Sequence, residues 1–330
     1  MGFWSSKTIT GFPGIVASYG NPNPSGVMSN ALARYWGGGE VIFVGNRSGL
    51  KAGSGKSPND PMSSLVGAGG ALAALQGTTG RGHVIFVLPG HAESVNAADW
   101  ASATAAAGDF AVVGLGVGDA RPSFTWTIAT STWLFDTVGV VLDGLRLNLE
   151  PTTGTVNVAA PITVSAKGCA IRHCRIKTGT DANNKVTIGI TVSAGGDDFT
   201  FEDNTVTGAA AATMTTFLRL TGVDNTVIQR NRIVCGTTAA AVGPIQELTT
   251  ACTNLLIRDN LIQNNAASST ACITAALAST TGFISGNYCR NMTDANVAWI
   301  VVTSGDVQLF QNYGVNNSNE TGILAGTPSV

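Results

Sequence analysis

The chain has 330 residues, 44 % of them hydrophobic and only 12 % charged, about half the usual charged share. A net charge of −2 gives no general attraction to nucleic acid or anionic membrane, and no run of about 18 apolar residues offers a transmembrane helix. The 41 glycines, with abundant Thr, Ala and Asn, disfavour long helices and suit short strands joined by turns.

Residues 1–38 come first and show no periodicity. Phe3, Trp4, Phe12, Tyr19, Tyr35 and Trp36 are scattered among Gly, Pro, Asn and Ser. Such a segment cannot build a core of its own, so it reads as an extended N-terminal arm. Its aromatics suit docking on another surface, which makes Phe3, Trp4, Tyr19, Tyr35 and Trp36 the candidate partner anchors. The competing reading lays the arm along the side of its own domain. The start, Met1 to Lys7, lacks the charged-then-apolar order of a secretory signal, so folding in a cytoplasm is expected.

Residues 39–80 form a second segment. Val41-Ile-Phe-Val44 reads as a first strand, followed by a loop rich in Gly and Ser. That loop looks like a phosphate cradle at Gly55-Lys56-Ser57, but Leu50 stands where the Walker spacing needs its first glycine. Asp60-Pro61 is a helix start, and Met62, Leu65, Val66, Leu72 and Ala73 share one helical face. A capping helix over residues 61–76 is therefore expected, although Gly69 interrupts its stripe.

Residues 81–316 carry an internal repeat. Five segments align without gaps: Phe201 to Val206, Ile228 to Ile233, Ile257 to Ile262, Ile284 to Cys289 and Leu309 to Gly314. Each has Asn at its fourth position: Asn204, Asn231, Asn260, Asn287 and Asn312. Two earlier segments fit with Leu145 and Cys174 in that place. A second series, Leu134, Ile162, Ile190, Leu218, Ile245, Ile273 and Ile300, recurs every 27 or 28 residues. Two registers sharing one period mean stacked coils, because a single period of short strands cannot bury its apolar positions alone. The fold class expected is all-β, a single-stranded right-handed parallel β-helix of three sheets with coils of roughly 28 residues. Roughly nine coils from residue 82 onward would give a rod near 40 Å long. The recurrent Asn is expected at a turn, tolerating left-handed angles and pairing amide to amide between coils. Residues 317–330 read as a featureless C-terminal tail.

The candidates for chemistry are few. The six cysteines form no C-x-x-C pair and read as buried reduced thiols. His83, His91 and His173 lack metal-ligand spacing, so neither a metal nor a cofactor is expected. The carboxylates to weigh for glycan cleavage are Asp143, Asp197, Asp198, Glu202, Asp203, Asp224, Glu247 and Asp259. Aligned on the repeat, acids and bases largely alternate down the columns Gly144, His173, Asp203, Arg230, Asp259 and Asp143, Arg172, Glu202, Gln229, Arg258. Neighbours about 4.8 Å apart would then attract. Two acids on adjacent coils do not occur in either column, so no catalytic residue is assigned.

With the repeat in place, the chain resembles the right-handed parallel β-helix proteins of tailed phages and prophages, which share the pectate-lyase-like fold. The matching pieces are Val41-Ile-Phe-Val44-Gly-Asn, Val84-Ile-Phe-Val-Leu-Pro-Gly-His91-Ala-Glu-Ser, Ala111-Val-Val-Gly-Leu-Gly-Val-Gly118 and Arg121-Pro-Ser-Phe, then the coils. The resemblance implies a structural virion protein, with capsid decoration or cementing as the best fit to a short rod with an aromatic arm. Its implied partners are two further copies in a homotrimer and the major capsid protein or other virion proteins, not nucleic acid or membrane. The alternative it leaves open is a tail-spike-like protein that binds or depolymerises a host surface glycan.

Overall fold

In the computed structural model, the residues described are 24–46, 53–67, 69–75, 82–96, 109–150, 157–179, 185–209, 214–237, 243–265, 271–292, 299–315 and 321–324. They form a parallel β-helix. Three sheets run its length, with ten, ten and seven strands, and successive strands of each sheet come from successive coils. Seven coils contribute a strand to all three sheets. Every pairing between coils is parallel.

The repeat dictates this arrangement. In the first sheet the alternate positions Ile85, Val112, Leu142, Ile171, Phe201, Ile228, Ile257 and Ile284 stack in register and point inward. All are essentially inaccessible. The third sheet supplies Ile162, Ile190, Leu218, Ile245, Ile273 and Ile300. One correction applies to that series: Ile162 pairs with Trp133, and Leu134 pairs with Thr163. Trp133 therefore heads the inward file, with its ring 4.8 Å from Trp126 and 5.1 Å from Phe124. The six cysteines are free and buried in the same core, where desolvation pushes the Cys169 thiol up to about 11 and Cys174 up to about 12.

The ends depart from expectation. The capping helix expected over 61–76 shrinks to α2, Ala71–Ala74. Gly67 adopts φ +82° and breaks the turn, and a Cβ on Gly70 would meet the Val66 carbonyl oxygen at 2.4 Å. Leu65, Val66, Leu72 and Leu75 still plug the end of the core, because the Glu93 carboxylate accepts the Leu65 and Val66 N–H groups at 2.8 and 3.1 Å. At the other end, Thr321–Leu324 pairs antiparallel with Asn312–Val315. The tail is thus not featureless; it adds one strand to the edge of the second sheet.

The extended arm also needs correction. Pro24–Tyr35 is a helix, α1. Its Met28 and Leu32 pack on Phe43, Val84, Phe86, Leu88, Ala111, Val113 and Leu115, forming a second apolar cluster outside the coils. The outward positions of the first three strands are apolar because α1 covers them.

Candidate functional site

The turn from the first sheet to the second carries a continuous file of side-chain hydrogen bonds. The five asparagines stand there in one buried file. Each of the first four donates its backbone N–H and one side-chain N–H to Oδ1 of the Asn one coil on. For Asn231 to Asn260 both distances are 2.9 Å, and for Asn260 to Asn287 they are 3.1 and 2.9 Å. The other side-chain N–H bonds a strand carbonyl one coil back, as from Asn260 to Ile228 at 3.0 Å. Cys174, where the file gives way to a thiol, donates its N–H to Asn204 Oδ1 at 2.8 Å.

The left-handed angle lies one residue earlier than expected. Positive φ falls on Gly144, His173, Asp203, Arg230, Asp259, Gly286 and Gln311, between 49° and 74°, and on none of the five asparagines. Asn is selected for its amide, whose two donors and doubly accepting oxygen are used in full between coils. The residue before it takes the strained backbone and points to solvent.

Those outward residues carry the charge. His173 Nδ1 lies 2.7 Å from Asp143 Oδ1, and its Nε2 lies 3.8 Å from Asp203 Oδ2. Arg230 donates to Asp203 at 2.9 and 2.7 Å and to Glu202 at 3.0 Å. Glu202 also pairs with Arg172 at 2.9 Å and Arg34 of α1 at 3.6 Å, and accepts from Gln229 at 2.7 Å. The alternation down the two columns is therefore a working set of bonds between coils. Asp259 stands exposed without an ion-pair partner among the described residues.

Tyr35 joins α1 to this shelf, its hydroxyl donating to Asp143 Oδ2 at 2.7 Å. Burial, and then the Asp143 charge, push Tyr35 up to about 12. Burial pulls Asp143 upward, yet the hydrogen bonds from His173 and Tyr35 outweigh it and hold the carboxyl below its ordinary range. The bond to Asp143 raises His173, and the Arg230 guanidinium lowers Asp203. A cleft of about 310 Å³ opens here, lined by Asn30, Arg34, Tyr35, Arg121, Asp143 and His173 among others. Glycan hydrolysis needs one carboxylic acid kept protonated beside an ionised one. Asp143 and Asp203 are both lowered, so neither of these two is the acid kept protonated.

The other weighed carboxylates sit elsewhere. Asp197 and Asp198 lie in the turn between the third and first sheets, where Asp197 accepts the Asp224 N–H at 2.9 Å and Asp198 accepts from Asn225 at 3.0 Å and pairs with Lys167 at 3.1 Å. Asp224 in turn accepts from the Thr253 hydroxyl. Glu247 is buried and takes the Cys252 and Leu277 N–H groups at 2.7 and 3.2 Å, with the Thr280 hydroxyl. Among the described residues no three His, Cys, Asp or Glu side chains gather as a metal site.

Of the candidate anchors, Tyr35 and Trp36 pack against the second apolar cluster, and the Trp36 indole donates to the Gly39 carbonyl at 2.7 Å. Phe3, Trp4 and Tyr19 lie outside the described residues. Two features escaped the sequence reading: the α1 clamp on Asp143, and a basic cleft on the second sheet around Arg146 and Arg175.

Fold and site together define a parallel β-helix whose outer polar columns bind coil to coil. Comparison with family models, curated proteins and solved structures gives no match.

Proposed function

We propose that this chain is a structural, non-catalytic protein of a tailed-phage particle, acting as a trimeric decoration or cement rod on the capsid. The observation that carries the reading is an exposed apolar patch on the last coils. Leu261, Tyr288 and Tyr313 stack in register on the second sheet, and Phe283 and Phe310 stack on the first with ring centroids 6.5 Å apart. All five are 41–53 % exposed. Exposed apolar and aromatic surface of this kind in water marks an association face. Two further copies of the chain are the occupants we assign to it, and the aromatics Phe3, Trp4 and Tyr19 remain for the particle surface.

The chemistry of the shelf agrees with a structural role, since its acids are spent on bonds between coils and on holding α1. Light scattering on the purified chain, with antibody labelling of purified particles, tests the proposal. A trimer that becomes monomeric on Tyr313→Ser, and label spread over the heads, are expected. A monomeric wild type, or label confined to the tail tip, would overturn it.

A further inference from the structure

The cleft between α1 and the turn columns holds one charge that the fold leaves unanswered. Its titratable lining groups are Arg34, Tyr35, Arg121, Asp143 and His173. Asp143 is spent within the wall, with Oδ1 on His173 and Oδ2 on Tyr35, both at 2.7 Å. Arg34 has Glu202 at 3.6 Å, a carboxylate it shares with Arg172 and Arg230. Arg121 has no carboxylate among the described residues. Its Nη1 donates to the His173 carbonyl oxygen, and its Nε is buried without a hydrogen-bond partner. Burial pulls this guanidinium below its ordinary pKa, and the charge of Arg175 adds to the effect. A partly desolvated cation is costly unless an anion lies against it. The acids of this face are all committed to other cations, so the anion for Arg121 has to come from outside the chain.

The rest of the lining is apolar. Val113 and Val117 border the cleft together with Tyr35. Val117 is 57 % exposed, an apolar side chain left in water beside two arginines. At about 310 Å³ the space lies at the small end of ligand sites, enough for one small organic group and too little for a polymer. We infer that this cleft binds a carboxylate carried on a short apolar body, with the carboxylate against Arg121 and Arg34 and the hydrocarbon against Val113, Val117 and Tyr35. A planar guanidinium takes a planar carboxylate through paired, directed hydrogen bonds. Inorganic phosphate would answer the charge but leave the valines in water. Two sources carry the required chemistry, a free short-chain acid and the C-terminal carboxylate of a peptide ending in an apolar residue. The inference does not depend on the particle reading: binding is measured on the purified chain, whereas assembly is read from scattering and particle labelling.

The test is an NMR titration of the full chain, read at the Arg121 Nε–H and the Val117 methyl signals. The probe is 4-methylpentanoate, compared with 4-methylpentanamide, acetate and inorganic phosphate. Saturable shifts are expected with 4-methylpentanoate, and binding at least about tenfold weaker with the uncharged amide, acetate and phosphate. N-acetylleucine separates the two sources: tighter binding than the free acid assigns a peptide C-terminus, and weaker binding assigns a small acid. Arg121→Gln should weaken 4-methylpentanoate by about tenfold or more, the loss of one charge-assisted pair. Val117→Glu, which sets a carboxylate at the exposed lip, should do the same and stands in if Arg121→Gln does not fold. Lys56→Gln, a surface cation paired with Glu40 and outside the cleft, should change nothing. No saturable shift in the wild type, equal affinity for the amide or for phosphate, or unchanged affinity in both cleft variants would each overturn the assignment.

Discussion

Replacing Asn260 by Ala removes the centre of the asparagine file. Its Oδ1 accepts the Asn231 backbone N–H and one Asn231 side-chain N–H, both at 2.9 Å. Its own amide donates to Ile228 O at 3.0 Å and to Asn287 Oδ1 at 2.9 Å. Asn231 and Asn260 are each 2 % exposed, so water does not replace the missing acceptor. Two donors stranded at about 1–3 kcal/mol each give a loss of roughly 2–6 kcal/mol. Solenoids open locally, so the assay is hydrogen exchange with mass spectrometry, coil by coil. Protection should fall most across the coils holding Asn231 and Asn260 and fade toward both ends. Gln311→Ala, at an exposed position one residue before the file, is the control and should cost under about 0.5 kcal/mol. A loss below about 1 kcal/mol for Asn260→Ala would refute the claim that the file holds the coils together.

Further outcomes are expected elsewhere. Leu32→Ala, at 8 % exposure, should weaken α1 docking by about 2–5 kcal/mol, seen as faster proteolysis within residues 24–38 while exchange in the coils stays unchanged. His173 has a folded pKa above its unfolded value, so its contribution is complete at pH below about 6.5 and disappears as pH rises through the folded value. NMR titration of the His173 ring should show that upward shift, and Asp143→Asn should abolish it. Asp143 has the opposite sign: its folded pKa is depressed, so its contribution holds above about pH 3.9 and is lost on further acidification, when α1 should become protease-sensitive. Thiol reagents should leave the six buried cysteines unmodified in native protein and label all six after denaturation.

The coil period was legible because inward positions and the Asn file repeat without gaps from Phe201 onward. Two details of that reading failed for local reasons. Leu134 looked like the head of the third-sheet file because the larger Trp133 beside it carries the inward role at the wide end of the core. The left-handed angle was assigned to Asn, whose side chain tolerates it, whereas the turn places it one residue earlier and uses Asn for bonding. Helix α1 was missed, although its signal was present. Val41-Ile-Phe-Val44 and Val84-Ile-Phe-Val87 are apolar on both faces, which requires a cover on the outer one. In later coils the same outward file turns to Asp143, Arg172 and Glu202, where α1 no longer covers it with apolar side chains. The basic column was legible as well, since Arg146, Arg175 and Arg232 share the fifth position of the aligned segments; it escaped because only the two positions before the Asn were read for charge.

The stacking of coils at a fixed offset is tested most directly by NMR of the chain labelled with 15N at asparagine. Side-chain amide cross-peaks should join Asn231 to Asn260 and Asn260 to Asn287, residues 29 and 27 apart, with none between Asn231 and Asn287. Absence of the first two contacts, or a contact between Asn231 and Asn287, would contradict a backbone that returns on itself once every coil.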